Sequence, residues 1–344
     1  MDMIDFPKLY CPYSPQINNH VEAVHRHTLQ WAVDIGLFAR ADKHYQRFEK
    51  AQFAWLAALT QPYSQLEDLE LTADWHTWLF AHDDIVDATA IGSDPKQIGA
   101  IHTRLIKILE GDRPSQNDSA LAHALADIRQ RIMNRTSLTW AERFIYSVKQ
   151  YFQGNNWEAA NNHENITPDL TTYVKLRQHT GAVFSCFNII YLTLDLSPQA
   201  WFLEHLYVQQ LAIMANHHIC WVNDIMGLQK EIRENNMNNL VLVLQKTYNL
   251  TLGEAVSQAI NYCDQEMAAF VKLEKRLPHF DPAEQIQLAG YLYALHAWMG
   301  GHIQWYRETG RYSEFDPDLK GLSPLILAVQ PQMTDVGTGH LRNQ

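Results

Sequence analysis

Three carboxylates crowd into one short stretch, Phe80-Ala81-His82-Asp83-Asp84-Ile85-Val86-Asp87, directly after the apolar run Trp75-His76-Thr77-Trp78-Leu79. On a helix Asp83 and Asp87 are i and i+4 and share a face, while Asp84 sits about 100° around the axis. Two carboxylates one turn apart suit Mg²⁺, a hard cation that takes oxygen ligands, keeps several waters and also accepts phosphate oxygens. Burying such charges without a compensating cation is expensive. The competing reading is the solvated polar end of a helix. A second constellation follows at Asn223-Asp224-Ile225-Met226-Gly227-Leu228-Gln229-Lys230-Glu231. Residues 223, 227 and 231 drift only about 40° per step around a helix, so Asn223 and Glu231 can aim oxygens at one place. Gly227 interrupts this helix, where glycine costs about 1 kcal/mol relative to alanine. Either close helix packing or room for a metal-bound water would compensate.

The elements that must position these groups read as helices. His20 to Leu37 places Val24, Leu29, Trp31, Ala32 and Ile35 near one face in a 3.6-residue rhythm. Similar segments are predicted at about 50–59, 66–86, 96–110, 117–134, 139–160, 167–193, 198–235, 251–275 and 282–309, and strand signals are rare. Thr167-Pro168 and Asp281-Pro282 have the form of an N-cap followed by a proline at the first helical position. No long linker or repeat divides the chain. The expectation is one all-α domain over 1–344, with its core at about 6–315 and a Pro/Gly-bearing tail at 316–344.

Composition narrows the function classes. The 344 residues are 47% hydrophobic and 19% charged, enough apolar content for a large core and too little charge for disorder. A net charge of -11 makes the surface a poor match for DNA or RNA. An anionic substrate would therefore need local cations, from a metal or from placed Arg and Lys. Cys11, Cys186, Cys220 and Cys263 show neither disulfide nor zinc spacing, which predicts a reducing cytoplasm. The opening MDMIDFPKLY lacks a signal-peptide pattern, and the apolar stretch from Gly181 to Leu194 is too short to span a bilayer.

With both constellations in view, the chain resembles class I terpene synthases of the bacterial type. That family carries a DDxxD motif, matched here by Asp83, Asp84 and Asp87, and an (N/D)Dxx(S/T)xxxE motif, matched at Asn223, Asp224 and Glu231 with Gly227 at the usual Ser/Thr position. Arg177, 46 residues before Asn223, matches the diphosphate-sensing arginine, and Thr180 and Gly181 match the linker and effector positions at a helix break. Lys230 precedes Glu231 as in the family, and Arg311-Tyr312 resembles its C-terminal diphosphate contact.

The resemblance implies an all-α class I terpenoid synthase bundle around an apolar cavity. It implies three Mg²⁺ ions, held by Asp83, Asp87, Asn223, Gly227 (through a water) and Glu231, with Asp84 just behind them. Arg177, Lys230, Arg311 and Tyr312 would bind the diphosphate of a prenyl substrate. Ionisation would leave an allylic carbocation, which aromatic faces stabilise without trapping. Phe80 and Trp305 sit where the family places pocket aromatics. Trp75, Trp78 and Trp157 read more as core. Farnesyl diphosphate is the leading substrate and geranylgeranyl diphosphate the runner-up. A chain-elongating prenyl diphosphate synthase would share the metal logic but normally shows two aspartate-rich motifs. A non-catalytic helical binding protein would leave the acidic cluster facing water. The sequence leaves homodimerisation open.

Overall fold

Caps written into the sequence divide the chain into helices. Ser119, Ser137, Asp169, Asn239 and Thr251 each accept a hydrogen bond from a first-turn amide, and Thr251 completes a reciprocal capping box with Glu254. Asp94 and Asp281 do the same ahead of Pro95 and Pro282. At the far ends, Gly111, Asn165 and Asn249 take up left-handed conformations that stop their helices.

The computed structural model describes residues 7–88, 94–196 and 200–311, with the side chains of 85–88 outside that description. It contains α1 (Val21–Asp34), α2 (Lys43–Ala51), α3 (Phe53–Thr60), α4 (Leu66–Ala88), α5 (Pro95–Glu110), α6 (Ala120–Arg135), α7 (Leu138–Glu164), α8 (Leu170–Thr180), α9 (Val183–Thr193), a 3-10 turn at Trp201–Glu204, α10 (Leu206–Arg233), α11 (Leu240–Tyr248), α12 (Leu252–Glu274) and α13 (Pro282–Glu308). Among the described residues there is no strand, and the all-α expectation holds. The tail at 316–344 lies outside the described residues.

Four boundaries differ from the periodicity. The segment expected at 50–59 belongs to two helices, broken at Gln52, whose φ is 55°. The carbonyls freed there are taken by α13 and the residue after it. Trp305 Nε1 donates to Ala51 O at 3.0 Å and Gln52 O at 3.2 Å, and Thr309 Oγ1 donates to Ala51 O at 2.7 Å. The segment expected at 167–193 is two helices that break at Gly181-Ala182, and its cap is Asp169 rather than Thr167. The segment expected at 198–235 begins as a 3-10 turn before α10. Helix α11 was not expected. Leu240 through Leu244 are all buried, so its apolar run carries no amphipathic rhythm.

One apolar core joins these elements. Trp75 and Trp78 are fully buried, stacked at 5.1 Å, and each indole N–H finds an acceptor: Ser185 Oγ at 3.0 Å and Leu121 O at 2.9 Å. Helix α13 crosses the almost wholly buried α3, and Gly301 makes that approach possible: a Cβ there would stand 2.3 Å from the Leu59 carbonyl oxygen. The pairing sets the positions of Trp298 and His302 on the same helix. Gly301→Ala should gain up to about 1 kcal/mol of helix propensity, yet the obstacle is backbone, and overpacking costs ~1–3 kcal/mol. Urea denaturation should therefore show the variant to be less stable.

Candidate active site

The C-terminal end of α4 and the C-terminal half of α10 open onto a single cavity. Asp83 lines it from α4, and Asn223, Gly227, Lys230 and Glu231 line it from α10. Arg177, Thr180, Gly181 and Ala182 enter at the α8–α9 break, and Tyr151, Asn155 and Glu158 enter from α7. Leu56, Leu79, Phe80, Val183, Ile219 and Trp298 give the deeper wall an apolar character. The space is about 1000 Å³, counting the open mouth. One end of the hollow is thus ionic and oxygen-rich, and the other is hydrocarbon-like.

Arg177 is the most constrained cation. Its guanidinium donates from Nε to Asp224 Oδ1 at 2.9 Å, from Nη2 to Asn223 Oδ1 at 2.8 Å and from Nη1 to Thr180 Oγ1 at 3.1 Å. Asp224 also accepts from the Tyr173 hydroxyl and from the Leu240 amide at 2.9 Å, so it ties α8, α10 and α11 together. It is fully buried and does not line the cavity. Asn223 is fixed on its other side by its amide donating to the Tyr306 hydroxyl at 2.6 Å. Asn239 Nδ2 donates to Glu231 Oε2 at 2.6 Å, which orients that carboxylate.

Asp83 receives cations from two directions: Arg311 Nη2 at 3.1 Å and Lys230 Nζ at 3.5 Å. Its recessed position pushes the carboxyl up, but Lys230 and then Arg311 outweigh that and hold it below the ordinary range. Arg311 also bonds Asp84 Oδ1 at 3.0 Å, which Arg47 reaches from the other side at 3.3 Å. Asp84 therefore stands behind Asp83 as expected. Arg311 lies over the Phe80 ring at 4.6 Å from its centroid, while Phe80 stacks on Phe53 at 4.2 Å. The Phe80 π-cloud is already in contact with a cation at the cavity rim.

One expectation needs correction. Trp305 is fully buried behind Phe80, with its indole N–H spent on the α2–α3 break, and does not line the cavity. Trp298 is the tryptophan that does, on nearly the same face of α13 but two turns earlier. Gly181 does stand at the helix break; its φ is -77°, and the left-handed residue there is Ala182 at 56°. What requires glycine at 181 is proximity: a Cβ would stand 2.4 Å from Cys220 Sγ. Two further expectations, the Asp87 carboxylate and Tyr312, lie outside the described residues. Sequence reasoning also missed Tyr151, Asn155, Glu158, His76 and His302. A signal for the α7 group was present in Gly154, a mid-helix glycine where a Cβ would meet Thr180 Cγ2 at 2.7 Å.

The donor set fits a hard divalent cation: two carboxylates and an amide oxygen at the mouth of one cavity, flanked by cations that suit phosphate oxygens. Among the described residues, no three His, Cys, Asp or Glu side chains close into a ready-made metal cluster.

Comparison with known proteins agrees with this geometry. Residues 74–269, which carry both constellations, match the family described as terpene synthase family 2, C-terminal metal binding. The chain belongs to the terpene synthase family. It is 36% identical to a (+)-T-muurolol synthase of Roseiflexus castenholzii over 91% of this chain and 95% of that one. It is 31% identical to a germacrene A synthase of Nostoc punctiforme over 92% and 98%. Among solved structures, germacradien-4-ol synthase from Streptomyces citricolor superposes with a TM-score of 0.79 at 25% identity, covering 89% of this chain and all of that one. The chain is thus a bacterial-type class I terpene synthase, an all-α enzyme. No described helix of this synthase is long and apolar enough to cross a membrane.

Asp224 positions the synthase's arginine without facing the cavity. Asp224→Ala would strand the buried Arg177 guanidinium and Tyr173 hydroxyl, and removing one partner of a buried pair costs ~3–5 kcal/mol. Chemical denaturation should show a loss of that size, with pyrophosphate affinity falling alongside it because Arg177 loses its anchor.

Proposed function

We propose that this terpene synthase is a Mg²⁺-dependent sesquiterpene cyclase that ionises farnesyl diphosphate and cyclises the resulting carbocation to a hydrocarbon or alcohol. The observation that carries the reading is the polarity of one cavity, with Asp83, Asn223, Glu231, Arg177 and Lys230 at one end and Phe80, Val183, Ile219 and Trp298 toward the other. A prenyl diphosphate has the same two-ended character. The substrate assignment draws support from the Roseiflexus relative and from a 4-epi-cubebol synthase of Streptosporangium roseum, both described as cyclizing (2E,6E)-farnesyl diphosphate.

Asp83 and Asp87 would hold two metal ions, and Asn223 with Glu231 a third, with the open space at Gly227 taken by a water. When bound, Mg²⁺ neutralises the developing charge of the departing diphosphate. The chain's own residues do the rest. Arg177, fixed on Asp224 and Asn223, presents a planar fork suited to phosphate oxygens. Lys230 reaches the same mouth and must leave Asp83 to engage the substrate. Arg311 bridges Asp83 and Asp84 and is the natural cation to move onto the diphosphate with Tyr312. Preorganised donors of this kind stabilise charge as it forms. The apolar wall keeps water from the cation, and the Gly181 carbonyl at the helix break is proposed to face it. The four free thiols fit a reducing cytoplasm.

Incubation with C10, C15 and C20 allylic diphosphates and Mg²⁺, followed by gas chromatography with mass detection, should give a cyclic C15 product and diphosphate. Chelation with EDTA should abolish both. A C20 product alone would replace the substrate assignment, and consumption of isopentenyl diphosphate would replace cyclisation with chain elongation. Asp83→Ala should lower diphosphate release by at least 10³-fold, whereas Gly227→Ser should retain turnover by supplying a hydroxyl where the water is placed. Phe80→Ala should shift the product ratios, because the ring borders the cavity directly below the ionic mouth.

A further inference from the structure

Two histidines stand in the cavity wall, His76 far along α4 from Asp83 and His302 nearer the ionic side, with its ring 4.8 Å from that of Tyr306, whose hydroxyl accepts from Asn223. His76 is on α4, seven residues before Asp83, which is ~10 Å of helix rise. His302 is on α13, one turn from Trp298. Both line the cavity and both are at least nine-tenths buried, with 2% and 5% of their surface exposed. Their surroundings are apolar: Leu56, Leu79, Ile219 and Trp298, whose ring lies edge-on to His76 at 5.4 Å. His218 on α10 is buried close behind, near enough that its charge and that of His76 both disfavour protonation of His302.

These imidazoles are polar groups without an evident structural task. Among the described residues, His302 Nδ1 has no hydrogen-bond partner, nor does either nitrogen of His218, and the polar group that approaches the His76 ring is the Phe53 backbone, outside good hydrogen-bond geometry. Buried polar atoms are normally satisfied, and leaving one unsatisfied costs about 1–3 kcal/mol. A fold that wanted only bulk at 76 and 302 would be more stable with leucine or phenylalanine there. Burial pushes His76 and His302 down to about 3 and His218 down to about 4. The Phe53 backbone works weakly against that shift at His76. The rings are therefore neutral at ordinary pH, and each carries one nitrogen lone pair.

We propose that the His76–His302 pair is the proton acceptor that ends the reaction, making the product an olefin. This deepens the cyclase reading and rests on it. The step balances without a further reactant. The C–H bond on the carbon next to the cationic centre breaks, and its electron pair becomes a C=C π-bond that neutralises the cation. The proton goes to an imidazole nitrogen lone pair. A carbocation is a far stronger acid than an imidazolium, so a weakly basic, desolvated imidazole suffices. The same weak basicity releases the proton to water once the product leaves. The location fits the task at His76, which stands two turns along α4 from Asp83 among apolar side chains, with His302 beside it between that wall and the Tyr306–Asn223 contact.

The test uses the full chain with Mg²⁺ and farnesyl diphosphate, measuring released diphosphate and product proportions separately. For His76→Leu, His302→Leu and the double variant, diphosphate release should stay within about three-fold of the unaltered protein. The total share of olefins should fall at least ten-fold in the double variant, replaced by alcohols formed when water captures the cation. Unchanged proportions, or a redistribution among isomeric olefins with total olefin preserved, would overturn the assignment, since a change of pocket contour alone, as at Phe80, predicts the latter. If the unaltered protein forms an alcohol labelled from H₂¹⁸O and the variants form olefins, the pair holds water instead and the assignment fails. His302→Asn keeps a polar side chain without a basic nitrogen and serves if the leucine variants fold poorly: it should also lower the total share of olefins, and the original share in it would overturn the assignment. Absence of diphosphate release by the unaltered protein from any allylic diphosphate would instead remove the cyclase reading itself.

Discussion

Negative charge gathered at two helix C-termini is the condition on which the rest of the site depends. Asp83 and Asp84 lie near the end of α4, and Glu231 lies in the last turn of α10, where the helix dipoles already disfavour carboxylates. Two unit charges 4 Å apart interact by about 4 kcal/mol at the effective dielectric near a protein surface, so an uncompensated cluster would be costly. The structure compensates with Lys230 and Arg311 on Asp83, and with Arg47 and Arg311 on Asp84. Those cations are also the chemistry that a diphosphate requires. In the proposed reaction, metal would take the carboxylates of these Arg–carboxylate and Lys–carboxylate pairs and the cations would turn to phosphate.

That exchange needs one cation that does not move, and Arg177 is built for the part. Its fork is held by Asp224, Asn223 and Thr180, and Asp224 in turn fixes the start of α11 through the Leu240 amide. The short helix that lacks an amphipathic rhythm is thus joined to the site by a buried carboxylate. Close approaches at Gly154, Gly181 and Gly301 bring α7, α10 and α3 near enough for the cavity wall to close. Each glycine is placed by what a Cβ would strike, and none of the three adopts a left-handed backbone.

The polarity of the cavity also orders the reaction in space. Departure of the leaving group belongs to the rim, where oxygens and cations meet. The cationic hydrocarbon belongs to the wall of Leu, Val, Ile and aromatic side chains, where water is excluded. Neutral histidines within that wall depart from an inert lining, and their sparse hydrogen bonding sets them apart from the His82–His102 pair nearby. That pair is satisfied by Tyr151 and Asn156 at 2.8 and 2.7 Å and serves to hold α4, α5 and α7 together.

Spacing along a single helix was enough to bring Asp83 onto α4 and Asn223, Gly227 and Glu231 onto one face of α10, because side-chain direction follows directly from 3.6 residues per turn. The all-α class was equally legible, since apolar periodicity and capping residues are local signals. Relations between helices were not. The break at Gln52 exists because Trp305 and Thr309, some 250 residues away, receive the freed carbonyls. Trp305 fell behind the cavity wall and Trp298 onto it because the two share a face about 10 Å apart, and the crossing of α13 over α3 at Gly301 fixes how far along the axis the helix meets the cavity. His76, His302 and Glu158 read as ordinary helix residues until three separate helices were packed around one hollow. Local geometry is encoded in short-range sterics and hydrogen bonds, whereas which face of each helix meets the cavity is decided by packing between residues far apart in the chain.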